Sequence, residues 1–270
     1  VAKENIGINA GLTAASALLL DYILTVAVSV AAGVAALTSA FPELLHYRIL
    51  IGISVIAFIT LMNLKGIKES GLFFSVPTYI FIISMFAMLS IGFYRYFTGQ
   101  IIHINQDNTL IVSSVSVFLL LRAFSSGCAA LTGVEAISNG VPAFKKPESN
   151  NAKTTLTIMA LILSVFFFGV SFLSHQYGIH PSHERTVISM LAEGVFGKTI
   201  FFFIIQAFTM LILFLAANTS YADFPRLCYF LAKDKFMPNR FKQLGDRLVF
   251  TNGIIALGGV ASLLIILFNG

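Results

Sequence analysis

Seven runs of apolar residues, at about 9–38, 47–65, 72–97, 112–142, 154–175, 199–218 and 251–269, decide what this chain can fold into. The hydrocarbon core of a bilayer is about 30 Å thick, and about 20 apolar residues in a helix cross it. Within that core no water is available to the backbone, so each run has to satisfy its own N–H and C=O groups as a helix. The chain therefore reads as all-α and polytopic. Composition agrees: only 11% of residues are charged, against about 25% in a soluble domain, and the mean hydropathy is +0.88.

The net charge of +5 invites a nucleic-acid reading, but its distribution opposes one. The basic residues fall in short loops between apolar runs, as the positive-inside rule requires. With the N-terminal end cytoplasmic, the inner side carries Lys3, Lys65, Lys68, Lys145, Lys146 and Lys153, then Arg226, Lys233, Lys235, Arg240, Lys242 and Arg247. The outer side carries Arg48, Arg95, Arg185 and Lys198, and Arg122 lies within a run. His46, His103, His175, His180 and His183 all fall on the outer side, without metal-ligand spacing. Cys128 and Cys228 are too far apart in sequence for a redox or metal motif and read as small buried apolar residues.

The fourth run breaks the apolar pattern. From Ile111 to Val141 a straight helix would be about 46 Å long, half as long again as the membrane core. Its segment FSSGCAALTGVEAISNG carries Gly127, Gly133 and Gly140 among hydroxyl residues. Glycine weakens a helix by roughly 1 kcal/mol relative to alanine, so an unwound segment near mid-membrane is expected. Such backbone is tolerated only where protein buries it or it lines a water-filled cavity. Glu135 stands at this break. An acid at the bilayer centre costs at least about 2.5 kcal/mol, and a cavity holding a cation or a proton relieves that cost. The plainer alternative places Glu135 at the cytoplasmic end of its helix, reaching water.

The first run supplies a second polar set. Asp21, Thr25 and Ser29 in LLLDYILTVAVSV are spaced i, i+4, i+8, which puts them on one helical face drifting by about 40° per step. Such a stripe suits a polar path. For Thr25 and Ser29, ordinary interhelical hydrogen bonding is an equal alternative. Asp21 needs a partner or a proton. Arg122 reads as structural, snorkelling outward or pairing with an acid.

Two further segments depart from simple spans. Thr186 to Phe196 is short and amphipathic and reads as an outer surface helix. Thr219 to Lys233 continues the sixth run as a helix that bends near the inner interface, at Asp223, Pro225 and Arg226. No metal-binding, nucleophile-elbow or phosphate-loop motif accompanies these runs, so an enzyme is not expected. The sequence begins at Val1 and stops at Gly270 directly after an apolar run, which reads as one transmembrane core, 1–270, taken from a longer chain.

Three stretches carry a family resemblance: DYILTVAVSVAAG, LTGVEAISNGVPAFKKPESNNAKTT and LAANTSYADFPRLCYFLAKDKFMPNRF. Together they resemble the amino acid–polyamine–organocation (APC) superfamily of secondary transporters, and within it the KimA-type branch of bacterial potassium importers. The resemblance implies a LeuT-like fold of two inverted five-helix repeats, of which this chain supplies helices three to nine. It implies potassium import by alternating access, with proton symport and no further cofactor. It also implies a homodimer in the lipid of the bacterial plasma membrane, and regulation by cyclic di-AMP through a C-terminal domain that this chain lacks. Carried over by motif, the potassium ligands are Thr25, Ser29 and Thr132, with Asp21 and Glu135 along the pathway or in proton coupling. An amino acid or amine permease of the same superfamily is the main alternative, and a non-transporting receptor or scaffold a distant one.

Overall fold

The computed structural model describes residues 5–66, 71–100, 116–128, 137, 140–141, 144–182, 184–242 and 250–269, with backbone alone at 71–73 and 128. In chain order its helices are α1 (Ile8–Ala40), α2 (Arg48–Leu64), α3 (Gly71–Phe97), α4 (Val117–Cys128), α5 (Glu148–Gln176), α6 (Val187–Phe196), α7 (Ile200–Lys233) and α8 (Thr251–Leu267). Short 3-10 turns, Pro42–Tyr47 and Asn239–Lys242, precede α2 and α8. Among the described residues there is no strand.

Five stretches are long and apolar enough to cross a membrane: Ile8–Ala40, Pro42–Leu64, Phe74–Phe97, Glu148–Gln176 and Ile200–Lys233. Two of the seven expected spans are shorter. The last is α8, whose 17 residues cover about 25 Å. The fourth is described as a helix only over the 12 residues of α4, and the expected break at Gly133 to Glu135 lies outside the described residues. The sixth span runs further than its apolar run, as one helix of 34 residues that includes Pro225. At about 51 Å it exceeds the membrane core. The excess is its C-terminal part, where Arg226 pairs with Asp223 at 4.0 Å.

The chain divides into two compact units. The first, residues 1–88 and 181–270, is built on α1, α2, α7 and α8. α1 and α7 run antiparallel along one another: Phe41 meets Phe203 with ring centres 5.7 Å apart, and Gly33 lies against Phe214. A Cβ at Gly33 would come within 2.5 Å of the Phe214 ring, so the small run AVSVAAGVAA is what lets these helices close. α2 and α8 are antiparallel too, Gly52 facing Ile265 and Thr60 facing Gly258. The core between these four helices includes Val26, Val30, Ile56, Ala217, Leu257 and Ala261.

Proline in a helix interior leaves a carbonyl without its donor and crowds the preceding turn. Pro225 is accommodated by α8, where Gly253 sits so close that a Cβ would be 2.9 Å from the Pro225 Cα. Polar cross-links tie α2 to α7 nearby. The Thr60 and Tyr221 hydroxyls are 2.9 Å apart, and Asn63 Nδ2 donates to Asn218 Oδ1 at 2.7 Å.

α6 is the short helix expected after Thr186. Its N-cap is Thr186, whose side chain accepts from the Ser189 N–H, satisfying one of the four donors a helix start leaves open. The second unit, residues 89–180, packs the end of α3 on α5. Leu89 fills the space over Gly169, and Phe172 stacks on Phe93 with ring centres 5.6 Å apart. Tyr177, just past the end of α5, is fully buried. Burial pushes its phenol above the ordinary value, and Arg95 draws it part of the way back.

Candidate functional site

Asp21, Thr25 and Ser29 lie on a single uninterrupted helix, α1, as their spacing predicts. Each step of four residues rises about 6 Å, so the stripe extends about 12 Å along the helix. All three are half-buried. To one side stand Tyr22 and Val26, buried in the core, and to the other Leu20, Leu24 and Val28, each more than half exposed. The stripe thus occupies the border between the packed face of α1 and its open face. A polar group at a packing border can be met by a second element without opening the core.

A serine or threonine in a helix commonly returns its hydroxyl to the carbonyl three or four residues back. On α1 itself Thr38 and Ser39 both do so, bonding to the Ala35 carbonyl at 3.2 and 2.7 Å. Thr25 and Ser29 make no such bond, and among the described residues neither they nor Asp21 has a hydrogen-bond or ion-pair partner. Each hydroxyl keeps a donor and two acceptor sites, and the carboxylate keeps its oxygens. Three oxygen-bearing side chains along one helical edge have the chemistry to coordinate a hard monovalent cation in steps.

The other half of the expected site, Thr132 and Glu135, lies outside the described residues. Arg122 falls on α4, exposed, and has no ion pair among the described residues. Cys228 is a free thiol, fully buried in α7. Sequence reasoning passed over the pairings of Asn63 with Asn218 and Thr60 with Tyr221. The available signal was weak: single polar residues in apolar runs, with nothing local to say that they meet.

Helices of membrane-crossing length and close antiparallel packing through small residues together define a multi-pass membrane protein. Over residues 1–270 the sequence matches the amino acid permease family, and the chain belongs to that family. It is similar to the potassium transporter KimA of Bacillus subtilis (strain 168), 47% identical over 272 residues that take in 100% of this chain and 45% of that relative. The chain thus spans less than half the length of the curated relative it matches.

Proposed function

We propose that this chain is the membrane core of a potassium importer working by alternating access. Potassium is held by the hydroxyls of Thr25, Ser29 and Thr132, and a proton is carried in symport on Asp21 or Glu135. The observation that carries this is the stripe of Asp21, Thr25 and Ser29 on α1, without partners among the described residues, in a chain 47% identical to a potassium transporter. A carboxyl in a pocket shielded from bulk water takes up a proton and returns it as the surroundings open and close.

Helix lengths support the inverted-repeat reading. A helix of 33 residues followed by one of 17 forms α1 and α2, and 34 followed by 17 forms α7 and α8. The long members pair antiparallel, and so do the short ones, as an axis in the membrane plane would require. The N-terminal end is cytoplasmic on the charge bias. Labelling a cysteine introduced at Lys3 from the inner side alone checks this. Homodimerisation, and control by cyclic di-AMP through a domain beyond this chain, belong to the same proposal.

Rubidium uptake into vesicles holding the full-length protein tests it. Asp21→Asn and Glu135→Gln are each expected to cut uptake by at least about tenfold, roughly the worth of one charge-assisted contact, and to flatten its response to pH. Uptake and pH response equal to the parent's in both variants would overturn the proposal. The family's description favours a second reading, amino acid transport. It is distinguished by melting: an added amino acid would raise the melting temperature while potassium would not.

A further inference from the structure

Two cavities in the first unit follow one another along α1. The outer one, about 120 Å³, is lined by Ala31, Thr38, Arg48, Glu184, Arg185 and Ile265 among others. The second, about 130 Å³, is wholly apolar and lies between α1 and α8 against Leu24, Val28, Leu264 and Phe268. Ala31 and Ile265 line both, so the two form one groove. On α1 its floor is Leu24, Val28, Ala31, Ala35 and Thr38, a single stripe at helical spacing. From Leu24 to Thr38 it rises about 21 Å, about half of the 40–45 Å bilayer with its headgroups. The groove is therefore about as long as one leaflet is thick, apolar at its Leu24–Val28 end and polar at its Thr38–Arg48 end. Leu24, Val28 and Phe268 are 51%, 60% and 79% exposed, so the apolar end opens to the side.

The charges at the rim are sorted. Arg185 is ion-paired with Glu193, and Lys198 stands 3.9 Å from the same carboxylate. Arg48 and Glu184 have no ion-pair partner among the described residues, and they face one cavity. The loop that carries Glu184 is fastened to the end of α1, where the Thr186 N–H donates to Ser39 Oγ at 3.1 Å. An unmatched guanidinium suits a phosphate, and an unmatched carboxylate suits an ammonium. Both beside an apolar slot of leaflet length describe one kind of molecule.

We propose that this groove is a binding site for a single membrane phospholipid with an amine headgroup. One acyl chain lies in the slot between α1 and α8, the phosphate rests on Arg48, and the headgroup ammonium rests on Glu184. The site is on the face of α1 neighbouring the Asp21–Thr25–Ser29 stripe, and it does not depend on which ion that stripe carries.

Native mass spectrometry of the full-length protein, released from mild detergent with equal amounts of phosphatidylethanolamine and phosphatidylglycerol of the same chains, tests this. The parent is expected to retain one phosphatidylethanolamine in preference to phosphatidylglycerol. Arg48→Gln should lower retention of both by about tenfold, the loss of one charge-assisted phosphate contact. Glu184→Gln should remove the preference alone. Ala31→Phe and Val28→Trp should both block the slot, and Val28 is exposed enough that its substitution leaves the fold intact, as the melting temperature in the same detergent verifies. No retained lipid, a preference for phosphatidylglycerol, or retention indifferent to Arg48→Gln and Val28→Trp would each overturn the proposal. So would displacement of the lipid by inorganic phosphate, since a free anion would then be the ligand.

Discussion

The two long helices of the first unit are nearly the same length and differ in what they do with polar residues. Toward its C-terminal half α7 places Asn218 and Tyr221 in its packed face and gives each a partner on α2, Asn63 and Thr60, while Gln206 and Thr209, buried nearer its start, have none among the described residues. α1 keeps its packed face apolar, from Tyr22 and Val26 to Gly33, and sets Asp21, Thr25 and Ser29 at its border without partners among the described residues. A buried polar group with a partner holds helices together, whereas one without a partner costs free energy until something binds it. The contrast teaches that position on the helix surface, and not polarity alone, separates scaffold from site. It also implies that substitutions on the two helices will fail in different ways.

The largest expected effect comes from closing the space that the scaffold needs. Gly253→Leu would drive a side chain into the Pro225 backbone, which cannot yield as a flexible side chain does. Overpacking of this kind costs about 1–3 kcal/mol or more, so the full-length protein should melt at clearly lower temperature. Uptake per folded molecule should fall much less than yield does. An unchanged melting temperature would mean that α7 and α8 are not packed as described.

A smaller effect is expected at the polar cross-links. Asn218→Leu leaves Asn63 with its Ile59 carbonyl bond but without its partner on α7. Interhelical hydrogen bonds in membranes are worth about 0.6 kcal/mol on average and up to about 1.7, so a modest loss of melting temperature should follow. Adding Asn63→Leu should cost little further, because the two belong to one pair. Additive losses in this double-mutant cycle would show that the pair is not coupled.

The smallest effect on stability belongs to α1. Thr25→Val and Ser29→Ala remove hydroxyls that bond to nothing described, so stability should change by no more than about 0.5 kcal/mol. The apparent potassium affinity should nevertheless fall severalfold. A large loss of stability with unchanged affinity would reverse the assignment and make these residues packing elements like Asn218.

Much of this architecture was legible in the sequence because the membrane imposes a length. The run at 9–38 became a helix at 8–40, and 72–97 became 71–97. Length alone does not set the end of α7, which continues past residue 218 as expected for Thr219 to Lys233, since the charges and the proline there mark the interface without ending the helix. The shared face of Asp21, Thr25 and Ser29 follows from helical period alone. That they lack partners among the described residues does not, because the alternative, a bond back to the preceding turn, is local and equally available to any helical hydroxyl. The pairing of Asn63 with Asn218 joins residues far apart in the chain, and no local pattern announces it. Gly253 likewise looks like an ordinary small residue until Pro225 is found against it.

The central claim is that the stripe on α1 meets Thr132 and Glu135 around one ion. Cysteine cross-linking reads that meeting directly. In full-length protein with Cys128 and Cys228 replaced by alanine, Thr25→Cys and Thr132→Cys together should form a disulfide under mild oxidation, since each sulfur would stand where a proposed ligand oxygen stands. Adding Ser29→Ala to that cysteine pair should not abolish the bond. Efficient cross-linking, slowed by potassium in its unmodified-ligand counterpart Asp21→Cys with Glu135→Cys, is the predicted result. No cross-link in either pair, in well-folded protein and with or without potassium, would contradict the account.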